Sequence, residues 1–274
     1  MALVRPPSSA APEFPARQLA RLERPLRLHR GGVIEQPVVA YETWGRLSAA
    51  RDNTVLLFTG LSPPAHAASS PADPKPGWWE SMIGEGKPID TRRYFVVCVN
   101  SLGSPYGSSC PASIDPRTGR PYGISFPELS VEDIATAGHE ALRTLGIERV
   151  AAVVGPSLGG MTVLAYCALF PDEVDSVVTI SGAARANPFA IALRSLQREM
   201  VRSDPAWRGG SYEPGRGPRL GLLEPGPDHT QDQHGEQAGK SPHARQHKHQ
   251  RQAQCRQHPL VPHQQHTLPR QRGA

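Results

Sequence analysis

Val150-Ala-Ala-Val-Val-Gly155-Pro-Ser157-Leu-Gly159-Gly160, with the run Met161-Thr-Val-Leu-Ala-Tyr-Cys-Ala-Leu-Phe170 after it, decides how this chain is read. Apolar, partly β-branched residues lead into Gly-x-Ser-x-Gly, and a helix-favouring segment leaves it. That pattern belongs to a strand turning sharply into a helix with a serine at the apex. Glycines two residues to either side of Ser157 remove the Cβ atoms that would strike the adjoining strand and helix. Ser157 is then held in a strained conformation with its Oγ presented above the sheet. The helix N-terminus, with the N–H of Leu158, faces any oxyanion that forms there. The plain alternative is an idle serine in a Gly-rich turn. The β-branched strand before it and the Ala/Leu helix after it favour a nucleophile elbow.

A chain of 274 residues holds one large α/β domain, or a domain with an appendage. Its apolar content of 38% and mean hydropathy of −0.42 are low for a fold whose central strands are buried on both faces. The deficit is local. Beyond Leu222 apolar periodicity disappears, and eight of the eleven histidines lie there. Residues 222–274 also carry seven Lys/Arg against four Asp/Glu, which is +3 of the total charge of +5. The remaining +2 on the body gives no reason to expect nucleic acid as a partner.

Cys98, Cys110, Cys167 and Cys255 show no paired spacing, and no metal-binding pattern appears. Cys98 and Cys167 read as small core residues. No apolar run is long enough to span a membrane, and the Arg-containing N-terminus lacks the apolar stretch of a secretory signal. A cytoplasmic location is the expectation.

Residues 1–25 are Pro/Ala/Arg-rich and patternless, and are expected to form a disordered extension. Leu26-Arg-Leu-His-Arg-Gly-Gly32 suggests a hairpin. Strands are expected at Val38–Thr43, Val55–Thr59, Tyr94–Asn100, in the segment before Ser157, and at Val177–Ser181. Helices are expected at Val131–Leu145, with Ser130 as N-cap, after Ser157, and at Ala190–Arg202. The loop Gly60-Leu-Ser-Pro-Pro-Ala-His66 leaves the carboxyl end of an apolar strand, where open α/β sheets build their sites. Alternation of this kind predicts a mainly parallel sheet with helices on both faces. With the nucleophile after about the fifth strand, the architecture is that of the α/β-hydrolases.

Further blocks carry a narrower resemblance. Tyr41-Glu-Thr-Trp-Gly45, Thr59-Gly-Leu-Ser62, Pro76-Gly-Trp-Trp-Glu80, Gly84-x-Gly-Lys-x-Ile-Asp-Thr91 and Arg93-Tyr-Phe-Val-Val-Cys98 occur in order. They are followed by Pro111-Ala-Ser-Ile-Asp-Pro116, Thr118-Gly-Arg-Pro-Tyr122, the elbow, Leu196-Gln-Arg198 and Asp204-Pro-x-Trp-x-Gly-Gly210. From Val38 to about Leu222 the chain resembles the homoserine O-acetyltransferase family. Val99-Asn-Ser-Leu-Gly103 and Phe126-Pro-Glu-Leu-Ser130 look more like its succinyl-transferring members.

The resemblance implies a double displacement in cytoplasmic methionine or cysteine biosynthesis. Ser157 attacks the thioester of an acyl-CoA, CoA leaves, and the side-chain hydroxyl of L-homoserine or L-serine takes the acyl group. The acyl-CoA, carrying acetyl or succinyl, is a co-substrate, and no cofactor or metal is implied. By match to the motifs, the N–H groups of Leu61 and Leu158 form the oxyanion hole. Arg198 matches the arginine that binds the amino-acid substrate, and its planar fork suits an α-carboxylate; the alternative for Arg198 is a solvated helix-face charge. A homodimer is the quaternary state the resemblance suggests. Trp78 and Trp79 read as packing. His66 is rejected as the base, because elbow enzymes place their triad in the order Ser, Asp, His.

The resemblance stops after Leu222, before the family's triad Asp and His. Domain boundaries are therefore expected at 26–222 for a partial α/β-hydrolase domain and 223–274 for a disordered His/Gln/Arg/Pro tail. A frameshift or truncation is the reading adopted for that tail; a metal-binding tail using His247, His249, His263 and His266 is the other. Without its base, Ser157 is expected to lose on the order of 10⁴-fold in rate. An esterase on the same fold and a non-enzymatic protein with a basic His-rich binding tail stand as alternatives.

Overall fold

The computed structural model describes residues 14–210 together with 212, 217 and 218. The expectation for residues 223–274 lies outside them, as does Cys255. Six strands make the main sheet: β1 (Gln18–Arg21), β2 (Val38–Trp44), β3 (Thr54–Phe58), β4 (Phe95–Val99), β5 (Ala152–Pro156) and β6 (Val177–Ile180). Their order across the sheet is β1-β2-β4-β3-β5-β6. The strands β4, β3, β5 and β6 run parallel, while β1 and β2 are antiparallel to their neighbours. The expected mainly parallel sheet is therefore present.

One part of the N-terminal expectation fails. Residues 18–21 are not an extension but an edge strand, with Gln18 opposite Tyr41 and Arg21 opposite Val38. The stretch is too short to show a period, and its stability comes from β2's backbone and from burying Ala20. Leu26–Arg27 pairs with Val33–Ile34 across Gly31 and Gly32, which makes the expected hairpin.

Three helices follow: α1 (Val131–Thr144), α2 (Leu158–Leu169) and α3 (Pro188–Ser203). The Ser130 hydroxyl accepts from the Asp133 N–H, and the Asp133 carboxylate accepts from the Ser130 N–H at 2.7 Å, a complete capping box. The same carboxylate accepts from the His29 N–H at 2.7 Å and so fastens the hairpin to α1. The helix α3 starts at Asn187, whose side chain accepts from the Ala190 N–H, and ends at Asp204 before Pro205.

The two faces of the sheet are covered differently. On one, Leu56, Phe58, Val97, Val99 and Val153 pack with Ile134, Ala135, Ala141 and Leu142 of α1 and with Val163 and Tyr166 of α2. On the other, Val55, Leu57, Val96, Cys98 and Val154 pack against Ala65, Ala67, Ala68 and Ile83, flanked by Trp78, Trp79 and Met82. Helices on both faces were expected; among the described residues the second face is covered by an irregular segment. Alanines and tryptophans fill that layer without any helical period, because turn hydrogen bonds such as Trp79 N–H to the Ala67 carbonyl, together with side-chain acceptors, satisfy the segment's backbone in place of a helix. The Glu80 carboxylate accepts from the N–H groups of Ser69 at 2.7 Å and Gly77 at 3.2 Å, and pairs with Lys87 at 3.1 Å.

At the far edge the apolar strand β6 is exposed along its length, and α3 buries none of its residues.

Candidate functional site

Because β3, β5 and β6 are parallel neighbours, their carboxyl ends lie side by side. Leu57 is opposite Val154, and Pro156 is opposite Ile180. Three turns leave from this edge: Thr59-Gly60-Leu61, Ser157-Leu158 and Ser181-Gly182.

Ser157 caps α2 with φ 55° and ψ −117°, an uncommon conformation for a residue with a Cβ. The strain expected from Gly-x-Ser-x-Gly is therefore present, and the side chain is exposed. Backbone contacts hold it there. The Ser157 N–H donates to the Ile180 carbonyl at 2.8 Å, and the Met161 N–H donates to the Ser157 carbonyl at 3.1 Å.

The glycines fit because nothing larger can. A Cβ on Gly155 would collide with the backbone of Gly159 and stand 2.9 Å from the Gly160 nitrogen. One on Gly159 would collide with the Phe58 carbonyl and stand 2.8 Å from that of Thr59. One on Gly160 would meet the Thr179 hydroxyl at 2.7 Å. That hydroxyl donates to the Gly160 carbonyl at 3.2 Å. The start of α2 thus sits directly on the end of β3, where the Leu61 loop begins. On the other side of the contact, a Cβ on Gly60 would lie 3.8 Å from the Pro156 carbonyl.

Leu158 is the first residue of α2, so its N–H has no partner within the helix. Leu61 is 59% exposed on the adjacent loop. Beyond Leu61 the loop is fastened at three points. The Trp78 indole N–H donates to the Pro64 carbonyl at 2.9 Å, the Ala65 N–H donates to the Asn100 side-chain oxygen at 2.6 Å, and His66 is buried.

Arg198 lies exposed on α3, where its guanidinium donates to the Ser195 hydroxyl at 2.8 Å. Among the described residues no hydrogen bond joins α3 to the elbow. Nor does any described histidine hydrogen-bond Ser157. His66 spends both ring nitrogens on Glu42 and the Lys75 carbonyl, and His139 spends its own on Glu140 and Glu173. Trp78 and Trp79 stack at 5.2 Å between centroids, as packing residues would. Sequence reasoning overlooked Glu42, Asp73, Asn100 and Thr179, which brace the loop and the elbow. One signal was available: Glu42 is a charge in an otherwise apolar strand.

Residues 54–226 match the family model described as alpha/beta hydrolase fold. The chain is 59% identical over 207 residues to the serine O-succinyltransferase of Litchfieldella anticariensis, covering 76% of this chain and 56% of that protein. It is 57% identical over 209 residues to the L-serine/homoserine O-acetyltransferase of Streptomyces lavendulae, with the same coverage of 76% and 56%. Among solved structures it is similar to esterase E22, with a TM-score of 0.69 and 31% identity over 75% of this chain and 58% of that one. The chain thus spans a little over half the length of these relatives. The parallel sheet, the strained serine between β5 and α2, and the family match agree, and the chain belongs to the alpha/beta hydrolase fold family.

Proposed function

We propose that this chain carries the nucleophile half of an acyl-CoA-dependent O-acyltransferase acting on the side-chain hydroxyl of L-serine or L-homoserine. The strained, exposed Ser157 at the head of α2 carries the proposal, supported by similarity to a serine O-succinyltransferase and an L-serine/homoserine O-acetyltransferase. Ser157 Oγ attacks the thioester carbonyl, and the negative oxygen that forms lies between the N–H groups of Leu61 and Leu158. Collapse of that intermediate expels CoA and leaves the acyl group on Ser157. The amino-acid hydroxyl then takes it, with the α-carboxylate held by the fork of Arg198. Removing the proton from Ser157 Oγ needs a base, and no described histidine is in place to supply it.

The experiment is a chimera in which residues beyond Leu222 are replaced by the corresponding remainder of the Litchfieldella protein. Succinyl-CoA or acetyl-CoA is supplied with and without L-serine or L-homoserine. Release of CoA that depends on the amino acid, with formation of its O-acyl product, is the expected outcome. Release with water as the only acceptor, unaffected by either amino acid, replaces this reading with that of a hydrolase, the activity named in the esterase neighbour.

A further inference from the structure

We propose that His66 is a positioning residue: a buried imidazole that shares a retained proton with Glu42 and thereby holds the Gly60–His66 loop, and with it the Leu61 N–H, in place.

The partners of the ring dictate the proton count. His66 Nε2 lies 2.8 Å from the Lys75 carbonyl oxygen, which only accepts, so Nε2 carries a hydrogen. His66 Nδ1 lies 2.9 Å from Glu42 Oε2. A neutral ring protonated at Nε2 would set a lone pair against a carboxylate lone pair there. The contact therefore needs one more proton, on Nδ1 or on the Glu42 carboxyl. Both residues are buried, at 7% and 1% exposure, so water cannot substitute for that proton.

The surroundings favour a cation. Asp73, also buried, has Oδ2 3.8 Å from His66 Nδ1, and among the described residues that oxygen accepts no hydrogen bond. The charged or titratable groups facing the pair come from every element around it. They are Asp73 from the irregular segment, Cys98 opposite Glu42 on β4, and Arg17 from the stretch before β1, while the Lys75 carbonyl faces the ring as an uncharged acceptor. Burial, which taken alone favours the neutral ring, is outweighed at His66 by the Glu42 and Lys75 hydrogen bonds and the nearby carboxylates, and its pKa is raised. Burial raises that of Glu42 despite the imidazole beside it. Both directions favour keeping the proton.

The mechanical consequence is local. The Ala67 N–H donates to the Ala65 carbonyl, and the Trp79 N–H to the Ala67 carbonyl, each at 2.8 Å. His66 is thus flanked by hydrogen bonds that tie the loop's end to the tryptophan segment, while its ring ties both to β2. With the folded pKa raised, the clamp is complete below the unfolded value of about 6.5 and is lost as pH rises through the folded value. The positioning role rests on the oxyanion reading of Leu61; the clamp does not.

The test uses the full ¹⁵N-labelled chain. Amide exchange at Ala65, Ala67 and Trp79, normalised for intrinsic rate, and the Trp78 indole signal are followed from about pH 6 to about pH 9. Protection at these sites is expected to fall about tenfold or more across that range, while β3 and β4 stay protected. Glu42→Gln is expected to move the transition down by about one pH unit or more, and His66→Gln to abolish it. A flat wild-type profile, or a transition retained in His66→Gln, overturns the clamp; if His66→Gln does not fold, the wild-type profile and Glu42→Gln decide. The rate at which p-nitrophenyl acetate acylates Ser157 in the chimera carrying the Litchfieldella remainder reads the positioning role, and a loss of about tenfold in His66→Gln is expected there. An unchanged rate with the loop released overturns the positioning role. No acylation in that chimera with His66 intact overturns the reading of Ser157 and that role together, leaving the clamp to the exchange data.

Discussion

Gly159 lies so tightly against the carbonyl oxygen of Phe58 that no side chain can be placed between them. Phe58 ends β3 and Gly159 stands in the first turn of α2, so this contact sets the helix N-terminus on the root of the Leu61 loop. The two N–H groups proposed to hold the oxyanion come from those two pieces of backbone. Their spacing is therefore a property of backbone packing, not of any side chain.

Replacing Gly159 with alanine should destabilise the protein by about 3 kcal/mol or more, at or above the upper end for overpacking, because both obstacles are backbone carbonyls that cannot rotate away. Urea unfolding of the two proteins measures it. A cost under about 0.5 kcal/mol, the scale of a neutral surface change, would mean that α2 stands off from β3.

Ser157 holds φ at 55° only because its surroundings force it. Ser157→Gly should therefore stabilise the fold by about 1 kcal/mol, since relief of roughly 1–3 kcal/mol of strain exceeds the added chain entropy of glycine. Ser157→Ala should keep the melting temperature within a few degrees and, in the chimera, abolish acylation by an activated ester. A destabilised glycine variant contradicts the strain.

If Arg198 holds the acceptor carboxylate, Arg198→Ala in the chimera should still load Ser157 and release one equivalent of CoA. Transfer to the amino acid should slow by about ten- to a hundredfold, the equivalent of losing a charge-assisted contact of roughly 1.5–3 kcal/mol. Arg198→Lys should recover part of the rate, because an ammonium lacks the planar fork. Single-turnover mass spectrometry of the acyl-enzyme separates the steps. Transfer at the normal rate would leave Arg198 a surface charge.

The Ser69 backbone N–H, ahead of Lys87 and Gly77, holds the Glu80 carboxyl down at about 2. A depressed carboxylate stabilises above its unfolded value of about 4.3, and loses that stabilisation as pH falls through the folded one. The Glu80 side chain is 37% exposed, so solvent screening limits the effect to about 1 kcal/mol. Glu80→Gln should melt a few degrees lower at neutral pH, with the difference closing as the pH approaches about 2. A gap that persists in acid would assign the effect to packing.

What the sequence by itself determined is whatever depends on near neighbours along the chain. Gly155, Ser157 and Gly159 announce the elbow because strand, turn and helix are contiguous. Ser130 and Asp133 announce the start of α1 because a capping box spans four residues. The central strands are legible as apolar runs because parallel strands are buried on both faces. Tertiary structure alone decided the rest. Gln18–Arg21 becomes a strand only because β2 offers it a free edge, and the segment covering the second face, braced within itself by Glu80, is joined at its start to the end of β4 by Asn100. Glu42, His66 and Asp73 are ordinary polar residues in sequence; burial against one another makes their proton costly to lose. Their partnership spans 24 residues between Glu42 and His66, a separation at which no local period operates and only the packed sheet brings the groups together.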